Sequence, residues 1–268
     1  MNNYFSEKYC KKIYDISYDF LLERLPSGIN ADELDEKYFN PKLNYSTLQD
    51  LFVRLISSAQ NYQGMPNFIK YNDRKEKIKQ LLFNYDLLKI SELLPDDLYN
   101  MFKKEFNVQR SAKNIKQDSW HKWSKSVIDS AKFLTSFKDA TDFKEFIGLF
   151  QYNIETKTAL PLLISTKISG IGFPLACDFL KEIGYTDYPK PDVHIKDIIQ
   201  VLLKLDSKES ISNILAFEAI IDIATKCKVT PYKLDKILWL ICTGNFYNHT
   251  DIKPESHKKE FLEILKTL

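Results

Sequence analysis

Cysteine is scarce in this sequence and badly placed for metal binding. The four residues, Cys10, Cys177, Cys227 and Cys242, lie far apart and form no C-x-x-C pair. That spacing argues against zinc and iron–sulfur sites. Cys177, Cys227 and Cys242 fall within apolar periodic segments and read as small buried hydrophobes, which fits a reducing cytoplasm. Glycine and proline are sparse too, at seven and ten residues, and no repeat, low-complexity run or flexible linker interrupts the chain. Arginine occurs only at Arg24, Arg54, Arg74 and Arg110. Excess charge is also missing: the formal net charge is +2, so any surface for nucleic acid must be local. The many lysines, with abundant Asn, Ile and Tyr, match the codon bias of an AT-rich genome and by themselves indicate no phosphate chemistry. Nowhere do about 18 apolar residues run together, which argues against a membrane-spanning helix. Residues 1 to 15 carry charges and lack the apolar stretch of a signal peptide, so a cytoplasmic location is expected.

What is present belongs to a globular protein. Hydrophobic residues make up 44% and charged residues 28% of 268 positions, enough for one large core or two modest ones. Strictly alternating strand patterns are hard to find, whereas the i, i+3, i+4, i+7 apolar spacing of amphipathic helices recurs. It predicts helices over residues 13 to 25, 47 to 61, 120 to 137, 141 to 150, 160 to 168, 210 to 224, 232 to 242 and 261 to 268, with two or three more between 73 and 105. Ser46 or Thr47, Asp96 or Asp97, and Thr141 are candidate N-caps, and Pro231 suits a first turn. Residues 107 to 119 form the most polar stretch and are expected to be a surface loop. The fold class is therefore all-α, with roughly a dozen helices.

Chemistry concentrates between residues 167 and 203. Ile168-Ser169-Gly170-Ile171-Gly172 is a tight glycine turn, followed by a helix expected to start near Phe173-Pro174. Glycines permit backbone conformations closed to other residues and let a ligand approach the main chain. The open N–H groups of the following helix make an anion site that needs no arginine. A plain helix–helix turn would use the same residues. Twenty residues on, Pro189 and Pro191 hold the chain extended before Asp192, which starts a helix with Ile195, Ile198, Ile199 and Leu202 on its apolar face. Asp192 reads as an N-cap, a role compatible with catalysis because the capping N–H groups hold the carboxylate rigid and ionised. The separation lets both features line one edge of a single cleft. Upstream, Ser57-Ser58-Ala59-Gln60-Asn61 gives the helix over 47 to 61 a polar tip, either ordinary fraying or a set of presented amides.

Taken together, these segments resemble the helix-hairpin-helix DNA glycosylase superfamily, with its endonuclease III-like and 8-oxoguanine-glycosylase-like members. Ile-Ser-Gly-Ile-Gly stands for the family's Leu-Pro-Gly-Val-Gly hairpin, and Pro-Asp-Val-His-Ile for its Val-Asp-x-His-Val catalytic segment. Residues 51 to 60, Leu-Phe-Val-Arg-Leu-Ile-Ser-Ser-Ala-Gln, are similar to a helix ending in Leu-Ser-x-Gln. Residues 229 to 239, ending at Trp239, are similar to a late helix beside the base pocket. The four segments occur in the family's order over residues 47 to 245.

The resemblance implies two helical subdomains with an active-site cleft between them: residues 47 to 200, containing the hairpin at about 162 to 184, and residues 1 to 46 with 201 to 268. It implies a monomer acting on double-stranded DNA that contains a damaged or modified base, whether a repair lesion or a modified base in foreign DNA. The base is flipped from the stack. Asp192 would be the catalytic carboxylate, while Gln60, Asn61, Ser169, Gly170, Ile171, Gly172 and His194 would contact DNA. Tyr62, Trp239 and Phe246 are candidates for the base pocket, with Tyr247, Trp120 and Trp123 as further aromatic candidates. A K+ or Na+ ion is expected on the carbonyls of Thr166, Ile168 and Ile171, and no other cofactor.

Three departures from the family pattern shape the expected chemistry. The lysine that bifunctional members carry just after the hairpin is replaced by Pro174, which cannot form a Schiff base, so a hydrolytic, monofunctional enzyme is expected. Lys167 and Lys190 lie nearby but do not match that position. Clustered cysteines for an iron–sulfur group are absent, and the segment over 85 to 160 is enlarged. Two other readings compete: an inactive helix-hairpin-helix DNA-binding protein, and an all-α interaction module whose glycines serve only as turns.

Overall fold

Helix caps written into the sequence set most of the architecture. The computed structural model describes residues 4–62, 64–108, 111–206 and 210–268. Among them there are fifteen α-helices, short 3-10 and π turns, and no strands. No described helix is long and apolar enough to cross a membrane. The chain forms two compact units, one from Asn44–Ile183 and one from Met1–Leu43 with Gly184–Leu268.

In the central unit, helix Leu48–Ala59 starts with a reciprocal capping box between Thr47 and Asp50. Its Leu51, Phe52, Leu55 and Ile56 are fully buried. They pack toward helix Ser119–Leu134, whose Trp123 donates its indole N–H to the Ile56 carbonyl at 2.9 Å. Trp120 and Trp123 are both core residues, so neither is placed to stack on an extruded base. Each such side chain contributes roughly 2–3 kcal/mol by leaving water.

Two capping expectations are corrected here. Asp139, not Thr141, caps helix Ala140–Gly148 through the N–H groups of Thr141 and Asp142. Helix Pro95–Phe106 starts on its proline without a side-chain cap, and Asp96 instead pairs with His121 at 2.8 Å. Of the polar stretch 107 to 119, residues 109 and 110 (with Arg110) lie outside the described residues. The remainder includes the 3-10 turn Ile115–Gln117.

The chain-end unit encloses its own core. Helix Glu7–Leu22, capped by Ser6, packs on Asn213–Lys226 and Pro231–Thr243. Phe5 N–H donates to Asp222, a buried carboxylate paired with Lys226 at 2.7 Å. Helix Val193–Leu202, which the sequence reading assigned with the central segment, places Ile195, Ile198, Ile199 and Leu202 in this core. The unit resumes at Gly184 (φ +105°), where a Cβ would lie 2.7 Å from the Leu43 backbone, so only glycine fits that approach.

Candidate functional site

The hairpin lies in the central unit. Helix Ile154–Lys167 leads into it, opened by a capping box of Asn153 and Thr156, and Ile168 ends that helix. Ile168 and Ile171 are buried and anchor the turn, while Gly170 and Gly172 face solvent. Gly170 has φ +79°, and a Cβ there would meet Ser126 Oγ at 2.7 Å. Ser126 donates to the Ser169 carbonyl at 2.5 Å, and Ser169 N–H donates to Asp129 Oδ2 at 3.0 Å. Helix Ser119–Leu134 thus fixes the turn from below.

Gly172 then starts helix Phe173–Glu182 with no side-chain cap and with Pro174 in the first turn. Its carbonyl accepts the N–H groups of Leu175 and Ala176 at 3.0 Å. Among the described residues, the N–H groups of Gly170 and Gly172 donate no hydrogen bond. An exposed turn with open donors at a helix start offers the partial positive charge that an anion can meet.

A buried network secures the second hairpin helix. Asp178 Oδ2 accepts from Arg54 Nη2 at 3.1 Å and from Ser58 Oγ at 3.0 Å, joining Phe173–Glu182 to Leu48–Ala59. Sequence reasoning passed over this pair, although an aspartate inside Leu-Ala-Cys-Asp-Phe-Leu is a signal that a partner is required.

Gln60 differs from expectation. It is only 8% exposed, and its Oε1 accepts the Tyr71 N–H at 3.1 Å. Helix Tyr71–Leu81 follows Lys70, which offers no side-chain cap, so Gln60 supplies one from outside. A side chain committed in this way is not presented at a surface. Its neighbour Asn61 is exposed, and Tyr62 is half-buried with Lys122 Nζ 5.9 Å above its ring.

Asp192 lies in the chain-end unit. Its backbone is extended (φ −79°, ψ −176°), and Oδ1 accepts the N–H groups of His194 at 2.9 Å and Ile195 at 3.2 Å. The preceding loop is tied down where Lys190 N–H donates to Asp235 Oδ2 at 3.0 Å. The second carboxylate oxygen of Asp192 accepts no hydrogen bond from the described residues, and the side chain is half-buried. One oxygen is thus held while the other stays open.

His194 Nδ1 is buried without a hydrogen-bond partner. Burial lowers the pKa of His194 below the usual histidine range. The negative charges of Asp192 and Asp197 oppose that shift, while Lys258 and Lys190 reinforce it. The ring is therefore neutral around pH 7.

The aromatic candidates separate. Trp239 is half-buried, 6.0 Å from the exposed Tyr247 ring at 62°, with Lys236 Nζ 5.5 Å from the Trp239 centroid and 4.8 Å from that of Tyr247. Phe246 is 4% exposed and packs edge-on to Tyr38. It lines a cavity of about 380 Å³ with Phe20, Leu240 and Ile241, and Asp192, His194 and Trp239 do not border that space. The structure therefore makes Phe246 a core wall.

Among the described residues, no group of three His, Cys, Asp or Glu side chains is arranged to hold a metal ion. Burial pushes the Cys10 and Cys227 thiols up to about 11 and the Cys242 thiol up to about 12.

No protein-family model and no curated protein sequence matches the chain. Among solved structures, the fold is similar to the Methanocaldococcus jannaschii 8-oxoguanine glycosylase/lyase in complex with a 15mer DNA containing 8-oxoguanine. The match has a TM-score of 0.50 and 14% sequence identity, and covers 92% of this chain and 100% of that one. At that identity the likeness is one of all-helical fold.

Proposed function

We propose that this protein is a DNA glycosylase that hydrolyses the N-glycosidic bond of a damaged or modified base flipped from duplex DNA. The observation that carries the reading is the Asp192 carboxylate, with one oxygen pinned by two N–H groups and the other open. Such a group is preorganised to face positive charge as it develops on the sugar. A carboxylate about 4 Å from that charge, at an effective dielectric near 20, contributes about 4 kcal/mol, roughly a thousandfold in rate. The same oxygen can take the proton of the attacking water. Water oxygen then bonds to the sugar carbon as the carbon–nitrogen bond breaks, and the base departs with a proton.

DNA is held, in this reading, by the open N–H groups of the Ser169–Gly172 turn on one backbone phosphate, and His194 meets another. With Gln60 used as a cap, Asn61 and Tyr62 are the side chains left to occupy the space vacated by the base. Trp239 remains the candidate for stacking on that base. The Thr166, Ile168 and Ile171 carbonyls would hold a K+ or Na+ ion. The Ile168 oxygen already accepts the Ile171 N–H at 3.2 Å and keeps one lone pair for it. Support for DNA as the substrate comes from the open hairpin donors and from a fold shared with a protein crystallised on lesion-containing DNA. Pro174 supports hydrolysis without lysine attack.

The test is incubation with a panel of damaged, mismatched and phage-modified DNAs, alkaline cleavage at abasic sites, and identification of the freed base. Release of a base without a borohydride-trapped protein–DNA adduct is the expected result. Release from no member of the panel would sink the glycosylase reading, and a strong adduct would sink its monofunctional part.

A further inference from the structure

Helix Ser119–Leu134 does more than hold the hairpin. Asp129 receives the Ser169 N–H, and one turn later Lys132 and Phe133 open onto a cavity of about 420 Å³ in the central unit. Aromatic rings form much of its wall: Phe133 lies 5.3 Å from Phe137 at 83°, and Phe137 lies 5.1 Å from Phe146 at 59°. Phe133 and Phe137 meet edge to face and Phe137 and Phe146 are tilted, so neither pair is stacked face to face. Phe137 and Phe146 are only half-buried. Lys132 and Lys167, also in the lining, are exposed, and neither has an acidic partner among the described residues. Asp129, the one carboxylate lining the cavity, already accepts the Ser169 N–H.

We infer that this groove binds an unpaired nucleotide of the DNA substrate. Ring faces beside unneutralised ammonium groups match a base and its flanking phosphates, and stacking of this kind tolerates any base. Two lining residues adjoin the hairpin, Asp129 through its bond to the Ser169 N–H and Lys167 as the last residue of the helix leading into the turn, so the groove lies beside the turn. Bases inside a duplex have their faces covered by neighbours, and the flipped base is assigned to Asp192 and Trp239, which leaves an overhang, gap or frayed end as the occupant. The inference rests on the reading of the hairpin as a DNA contact.

The full-length protein is titrated with a blunt duplex and with the same duplex carrying a short single-stranded tail at either end, followed by fluorescence anisotropy. The tailed duplex is expected to bind about ten-fold tighter. Phe137→Leu, which keeps apolar volume but removes the ring face, and Lys132→Gln, at an exposed position, should each remove most of that gain and leave blunt-duplex affinity unchanged. Equal binding of blunt and tailed DNA by the wild type, or a gain that survives both substitutions, overturns the inference. Lys132→Gln keeps the test decisive if Phe137→Leu perturbs the aromatic cluster. Tail-dependent binding without base release from any substrate would support the groove while removing the glycosylase reading, so the two failures are distinct.

Discussion

The two helix starts at Gly172 and Asp192 use one local element in opposite senses. At Gly172 the N-cap position has no side chain, and donors of the exposed turn stay open. At Asp192 the donors are filled by the protein's own carboxylate. A bare helix start attracts an external anion, and a capped one displays a fixed negative charge. The two surfaces are therefore suited to opposite partners, a phosphate and a developing cation. A third start, at Tyr71, borrows its cap from Gln60 and takes part in neither.

Removing the charge from the capped end should have the largest effect. Asp192→Asn keeps a good capping oxygen, so the helix should hold while base release falls roughly a thousandfold. DNA binding should be unchanged or tighter, as anisotropy will show. Base release at the wild-type rate would end the assignment.

Converting the open end into the capped kind sharpens the contrast. Gly172 has φ −81° and only Pro174 Cδ, at 3.9 Å, near an added Cβ, so Gly172→Asp fits without strain. Thermal stability should stay level or rise slightly, while DNA affinity drops roughly fifty-fold through loss of charged hydrogen bonds and added repulsion. A variant that binds DNA normally would show that the hairpin is only a connection.

Deleting the borrowed cap addresses the third start. Gln60→Ala should lower stability by about 1–2 kcal/mol in denaturant unfolding, because a buried N–H loses its acceptor. Base release per folded molecule should change little, and a loss of activity without a loss of stability would return Gln60 to the DNA surface.

The smallest effect concerns pH. The folded pKa of His194 lies below that of the unfolded chain, so its neutral form favours folding above about pH 6.5 and that contribution disappears as pH falls through and below this value. Melting temperatures of the wild type should therefore decline from pH 7.5 toward 5.5 more steeply than those of His194→Gln, measured by scanning fluorimetry at about half-unit pH steps.

Much of this is legible in the sequence. Helical periodicity identified the all-α class, and the Gly170-Ile171-Gly172 motif and the proline-flanked Asp192 marked the turn and the cap, since each depends on residues close in sequence. Thr47 as an N-cap was readable for the same reason. Gln60 was not, because its acceptor role depends on where Tyr71 arrives after an intervening turn. Arg54 and Asp178 meet across 124 positions, a distance no local pattern spans. Phe246 looked available because an aromatic near a chain turn carries no mark of what packs on it. Thr141 lost its cap to Asp139 within two residues, a choice between equally competent side chains that backbone extension at Asp139 decides.

The interruption of the chain-end unit by Asn44–Ile183 also bears on biosynthesis. The central unit is one continuous stretch, so it can fold as soon as the ribosome has released it. Helix Glu7–Leu22 emerges before that unit, yet the helices it packs on most, Asn213–Lys226 and Pro231–Thr243, come after it. Until they arrive, much of its apolar face lacks its native cover and is open to chaperones and proteases. The hairpin is therefore expected to mature before the segment that carries Asp192, and a truncated product would retain the turn without the carboxylate.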